Sequence, residues 1–275
     1  MLVEAPARGL PGTAIERVEK QRAGQGMPPD DVVVRAHDRS GKPAILEIPV
    51  RRTIMFAPKD AVFKEGVEQI ANTTAKPDFW TPNHQLGIAT SATSRKSNGP
   101  YQDILTWVRE IGDAKTFMEQ VERTGTSNDE ARSFVATFRS YLKKACAPHD
   151  DETAWKVLRR FHILTFDFTA PESSAQELAQ ERCARALEPV EAAEQPICGK
   201  VLTEIATEAA SSAGDRDRPQ LLEELQQSSF RLAPASSNAG ALRILADLSR
   251  SALEDIDDAV SGVSLPRTDY ASAGG

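Results

Sequence analysis

Cysteine is scarce in this chain. Its three residues, Cys146, Cys183 and Cys198, are odd in number, far apart and without a CxxC pair. That excludes a disulfide framework and a zinc knuckle and predicts reduced thiols. Histidine is nearly as rare: His37, His84, His149 and His162 form neither HxxxH nor HExxH, so no preformed histidine-metal site is legible. No apolar run approaches the roughly 18 residues that a membrane span needs. The opening Met1-Leu2-Val3-Glu4-Ala5-Pro6 lacks the basic flank and apolar stretch of a signal peptide. The expectation is a cytoplasmic protein with no membrane partner. GxxxxGKS/T, GxGxxG and GxSxG are all missing, so neither a phosphate-cradling loop nor a hydrolase elbow is expected.

An excess of one charge is also missing from the front. Residues 1–110 hold 15 Lys+Arg against 13 Asp+Glu, residues 111–168 hold 9 of each, and residues 169–275 hold 9 against 18. The acidic last part would repel phosphate and suits a basic protein surface, so nucleic acid has room only on the front. What the chain does have is length: 275 residues, 40% of them hydrophobic, are enough to bury one large core or two smaller ones.

The first periodic segment runs from Thr13 to Ala23, with Thr13 as a candidate N-cap, Glu16 three residues on and Gly24-Gln25-Gly26 at its end. It predicts a short helix. Asp31-Val32-Val33-Val34-Arg35-Ala36 and Ala44-Ile45-Leu46-Glu47-Ile48-Pro49-Val50 flank a turn containing Gly41, which predicts a hairpin. Alternation puts Ile45, Glu47, Pro49 and Arg51 on one face and Leu46, Ile48 and Val50 on the other. Pro49 has no ladder donor, which points to an edge or a bulge there. A helix is expected from Pro58 to Ala71, a strand over Gln85–Thr90, several helices across 101–160 and a strong strand over Phe161–Phe168. Helices without intervening strands are expected at about 174–187, 197–213, 218–228 and 239–260. Asp150-Asp151-Glu152 reads as the acidic first turn of a helix. Ser94-Arg95-Lys96-Ser97 and Arg159-Arg160 read as solvated basic faces.

The sharpest local signal is Asp31, then Glu47 sixteen residues later, then Arg51, after a segment bearing Glu16. Two carboxylates on adjacent strands can share a divalent cation, which activates a bound water and neutralises charge on a phosphoryl oxygen. A neighbouring cationic side chain would stabilise the transition state. At these residues the chain resembles the PD-(D/E)XK nuclease superfamily, and more narrowly the Mrr-like nuclease domains at the N-terminus of bacterial antiphage STAND NTPases. The matching words are Pro29-Asp30-Asp31-Val32-Val33-Val34 and Leu46-Glu47-Ile48-Pro49-Val50-Arg51-Arg52. Where the family favours glutamine or glutamate, a spacer and lysine, this chain has Pro49-Val50-Arg51. The resemblance implies Asp31 and Glu47 as ligands of Mg²⁺, Arg51 in the place of the lysine and Glu16 assisting. The stretch Ile256–Arg267 looks like the linker that precedes the NTPase in such proteins.

The expected fold is therefore α/β, a restriction-endonuclease-like core in α-β-β-α-β order with a helical insert over 1–170. An acidic helical part over 171–266 and a tail over 267–275 follow. Two functions stand open on this resemblance, beside a generic third in which the chain is an unrelated α/β interaction protein whose acidic helices over 174–260 contact a partner. One is the metal-dependent DNA endonuclease effector of an antiphage defence protein, acting on double-stranded DNA. The other is a catalytically inactive module of the same fold that serves recognition or assembly, the sign of which is Pro49 and Arg51. In either case the acidic helices would contact a protein partner or NTPase module, and a homo-oligomer is compatible with both.

Overall fold

A computed structural model of the chain describes residues 9–20, 31–38, 40–76, 79–91, 96, 99–145, 150–166, 177–179, 181, 195–212, 214–228 and 230. All lie in the first of two compact units, Met1–Leu232 and Ala233–Gly275. The predicted helix at 239–260, most of that at 174–187, the boundary at Pro171, the linker and the tail lie outside the described residues.

The elements are β1 (Thr13–Lys20), β2 (Asp31–Asp38), β3 (Pro43–Arg51), α1 (Ala61–Thr74), β4 (His84–Thr90) and α2 (Pro100–Glu110). They continue with α3 (Ala114–Glu122), α4 (Asp129–Ala145), α5 (Asp151–Arg160), β5 (Phe161–Thr165), α6 (Gln195–Ser212), β6 (Asp215–Asp217) and α7 (Arg218–Gln227). The chain is α/β, with one six-stranded mixed sheet in the order β5-β4-β3-β2-β1-β6. β1, β2 and β3 form an antiparallel meander, and β3, β4 and β5 run parallel. Parallel neighbours need long crossovers. Here α1 makes the first, and α2 to α5 make the second.

The order is thus β-β-β-α-β, and the helix expected from Thr13 is a strand. The cause is a bulge between Ile15 and Arg17. Ile15 pairs with Ala36 and Val18 with Val34, so both lie over one face of the sheet although they stand three apart. The extra residue, Glu16, turns a strand period of two into an apparent helical spacing. Thr13 caps no helix; its Oγ1 donates to the Leu10 carbonyl at 2.8 Å.

A second correction concerns β6, which separates two helices that were expected to follow one another directly. Asp215-Arg216-Asp217 carries no apolar alternation. It is held by its ladder to Arg17–Glu19 and by ion pairs from Arg17 to Asp215 at 3.2 Å and from Arg216 to Glu224 at 2.8 Å. Charged side chains on a short edge strand discourage pairing with another chain.

The two sheet faces are covered differently. On one, α1 to α5 enclose the larger core, in which Phe63, Phe134, Phe138 and Phe161 are fully buried. Gly66 of α1 lets the helix approach β4, since a Cβ there would meet Ile88 Cδ1 at 3.1 Å. Asp60 caps α1, accepting from Val62 N at 3.0 Å and from Met55 N at 2.6 Å. Beside it Phe56 takes a left-handed backbone (φ 53°), a strained state for an aromatic residue. Its ring sits 5.1 Å from Phe63, 5.6 Å from Tyr101 and 5.9 Å from Phe134, and this packing offsets the strain. On the other face Leu10, Val34, Ala36, Ala44, Leu46 and Ile48 form a smaller core, so the predicted alternation of β3 is observed.

Pro49 does not mark an edge. β3 lies inside the sheet, and pairing with β4 runs through Glu47↔Leu86 and resumes at Val50↔Ala89. Ile48 and Pro49 are skipped. The missing donor appears as a gap in an interior ladder. The acidic turn at Asp150 is as expected: its side chain accepts from Thr153 N at 2.8 Å and caps α5.

Candidate functional site

Register decides which predicted site residues meet. Asp31 opens β2 opposite Pro49, and Val33 stands opposite Glu47. Parity therefore assigns positions 31, 47, 49 and 51 to one face of two adjacent strands, the face covered by α1.

Glu47 is gripped from that helix and from β4. Its Oε2 accepts from Thr73 Oγ1 at 3.0 Å and from Lys76 Nζ at 3.0 Å. Its Oε1 accepts from Lys76 Nζ at 3.1 Å and from His84 Nε2 at 3.0 Å. The carboxylate can only accept, so Nε2 carries the histidine's proton. Only 13% of the Glu47 side chain and 2% of the His84 side chain are exposed. Burial pushes the Glu47 pKa up, but bonds from His84 and Lys76, the lysine's charge and the Thr73 hydroxyl outweigh it and hold the group at about 2. His84 also packs on Phe79, ring centroids 5.1 Å apart, and its Nδ1 is buried without a hydrogen-bond partner among the described residues.

Arg51 is turned onto α1. Its Nη2 donates to Glu65 at 3.2 Å and to Gln69 at 3.0 Å, and its Nη1 donates to the Val50 carbonyl at 2.9 Å. Glu16 stands apart from the others. At the bulge of β1 its carboxylate lies 3.6 Å from His37 Nε2 and is 60% exposed. His37 is six residues along β2 from Asp31, roughly 20 Å at a strand's rise per residue. The expected place of Glu16 beside the metal ligands requires a helix, and the strand carries it instead to the far end of β2.

No local sequence pattern singles out Thr73, Lys76 or His84. The last lies 37 residues from Glu47, and nothing local ties it to a strand glutamate. The one available signal was position: Lys76 just follows α1 and His84 opens β4, next in register to Ile45.

Chemically, four hydrogen bonds occupy the four acceptor sites of the Glu47 carboxylate. The Lys76 ammonium stands where a cation would bind. A hard divalent ion takes six or more oxygen ligands, whereas Pro49 offers no side-chain oxygen and Arg51 adds positive charge. Among the described residues, no three His, Cys, Asp or Glu side chains are grouped to hold a metal ion. The described cluster fits a neutralised carboxylate better than a Mg²⁺ ligand. Nor is any described helix long and apolar enough to cross a membrane. Comparison of the chain with protein-family models, with curated proteins and with solved structures gives no match.

Proposed function

We propose that the sheet and α1 form a restriction-endonuclease-like module of the PD-(D/E)XK (Mrr-like) lineage, the front end of a bacterial antiphage defence protein, which serves recognition or assembly without cleaving DNA. The lineage is supported by a meander, a helix and a parallel strand in that order, with positions 31, 47, 49 and 51 on one face. The observation that carries the loss of cleavage is the Glu47 carboxylate, its acceptor sites taken by Lys76, His84 and Thr73. A ligand of this module would be double-stranded DNA or a protein partner.

The test is incubation with plasmid DNA in Mg²⁺, in Mn²⁺ and in EDTA, with a gel-shift assay alongside. Intact plasmid in every arm is expected, with any DNA binding indifferent to the cation. Cleavage that needs the cation and stops with EDTA overturns the reading.

One observation favours a second reading, a Mg²⁺-dependent endonuclease: the face-sharing of positions 31 and 47. Asp31 and Glu47 would then hold the ion, which would supply an activated water. Calorimetry with Mn²⁺ separates the two. Binding lost in both Asp31→Ala and Glu47→Ala supports the endonuclease, and equal heats in all three proteins exclude it.

A further inference from the structure

At the starts of the parallel strands, across the sheet from the Glu47 cluster, a cleft of about 280 Å³ opens beside His162. One wall is the loop at Gly9, whose backbone (φ +89°) presses so close that a Cβ would meet His162 Cδ2 at 3.3 Å. Leu10 and Pro11 give this wall an apolar surface. Gln85, Arg109, Arg159 and His162 also line the cleft, and no Asp or Glu is among the described residues that line it. In a chain of net charge −7, two arginines with no acid among the described lining residues give the cleft a locally positive character.

The polar side is ordered. Arg109 Nη2 donates to the Phe161 carbonyl at 2.6 Å and to His162 Nδ1 at 3.1 Å. His162 therefore carries its proton on Nε2 and donates to Gln85 Oε1 at 3.2 Å, which leaves the Gln85 amide NH₂ as a donor toward the cleft. The remaining Arg109 N–H groups have no partner among the described residues. Arg159 stacks on Trp155, 4.7 Å from the ring centroid, which aims its guanidinium without neutralising it. Arg109 makes no ion pair among the described residues, and burial alone lowers its pKa. A half-buried guanidinium with no counter-charge among the described residues is costly.

We propose that this cleft binds a small ligand bearing an oxyanion, a phosphate or a carboxylate on a compact and partly apolar body. Arg109 and Arg159 take the oxyanion, Gln85 donates to it, and Leu10 and Pro11 face the body. Two forked guanidinium groups are suited to such oxygens, and the volume lies at the small end of ligand pockets. The site is independent of the Glu47 face and of whether that face cleaves DNA.

His162 is a built-in reporter. Burial and the neighbouring Arg109 charge push it down to about 4, and an oxyanion on Arg109 would cancel part of that charge and raise it. The experiment follows the His162 ring by NMR across a pH series in the full chain, with inorganic phosphate, acetate or chloride at matched ionic strength, and measures affinity by calorimetry. Saturable binding of phosphate or acetate, with a rise in the His162 pKa that chloride does not give, is expected. Tighter binding of phosphate assigns a phosphate ligand, and tighter binding of acetate a carboxylate. Arg159→Ala, at an exposed position, should weaken the oxyanion at least about tenfold while leaving the unfolding midpoint in place. Arg109→Lys should weaken it comparably although the charge is kept. No oxyanion preference over chloride, or unchanged affinity in Arg159→Ala, overturns the proposal whether or not Arg109→Lys folds.

Discussion

His84 Nε2 lies 3.0 Å from Glu47 Oε1, so a histidine that is 2% exposed donates its Nε2 proton to a strand carboxylate. With Lys76 on the same group, the pair ties β3, β4 and the end of α1 together. Glu47→Ala should therefore destabilise the fold by about 3 kcal/mol, because it strands a buried histidine and a half-buried ammonium. Urea denaturation measures this. A surface metal ligand would behave otherwise, its loss changing stability by less than about 0.5 kcal/mol.

Acid should unfold the protein in two windows. His162 is held neutral, its pKa lowered from 6.5 to about 4. The unfolded chain then binds the proton more readily, and the stability His162 contributes above 6.5 is lost as pH falls towards 4. Glu47 is lowered from 4.5 to about 2, so its contribution is full above 4.5 and is lost as pH falls towards 2. Stability measured against pH should lose the upper window in His162→Gln and the lower one in Glu47→Gln.

Placing the nuclease superfamily's residues at two positions should not create a metal site. Pro49→Gln with Arg51→Lys supplies an amide oxygen and a compact ammonium, yet Lys76 still occupies Glu47. We expect no Mn²⁺ heat from the double variant. Adding Lys76→Ala frees the carboxylate and should produce measurable Mn²⁺ binding. Mn²⁺ binding by the double variant itself would show that Lys76 is easily displaced.

Glu16 and Val18 should behave as a bulged strand demands. Glu16→Ala, at an exposed position that the β1–β2 register skips, should shift stability by no more than about 0.5 kcal/mol. Val18→Asp puts a charge against the smaller core and should cost about 2 kcal/mol or more. Equal effects would contradict β1.

Sequence pattern was informative where one residue's environment repeats along its own element. The alternation of β3, the hydrophobic spacing of α1 and the run of β5 all depend on neighbours two to four residues away. β1 was hidden by one inserted residue, and β6 by having no apolar side chain, since a ladder to β1 holds it. The Glu47 cluster was half legible: the carboxylate stands out on its strand. Its partners Lys76 and His84 come 29 and 37 residues later, and only the crossover through α1 brings them back. Arg159, read as part of a solvated basic pair, lines a cleft, and Arg160 lies 5.6 Å above Phe79 and 5.5 Å from Trp80.

The second crossover has a kinetic consequence. β4 meets β5 through Leu86↔Phe161, so the pairing closes a span containing α2, α3, α4 and α5, whereas the meander joins strands that follow one another directly. Loop closure is entropically costly before distant contacts form. The meander and α1 should assemble early, and β5 should dock only after the four helices have collapsed. Val34→Ala in the meander would then slow folding, while Leu164→Ala on β5 would mainly speed unfolding. Stopped-flow rates for the two variants measure that order, and the late strand is the one that carries His162 and so completes the oxyanion cleft.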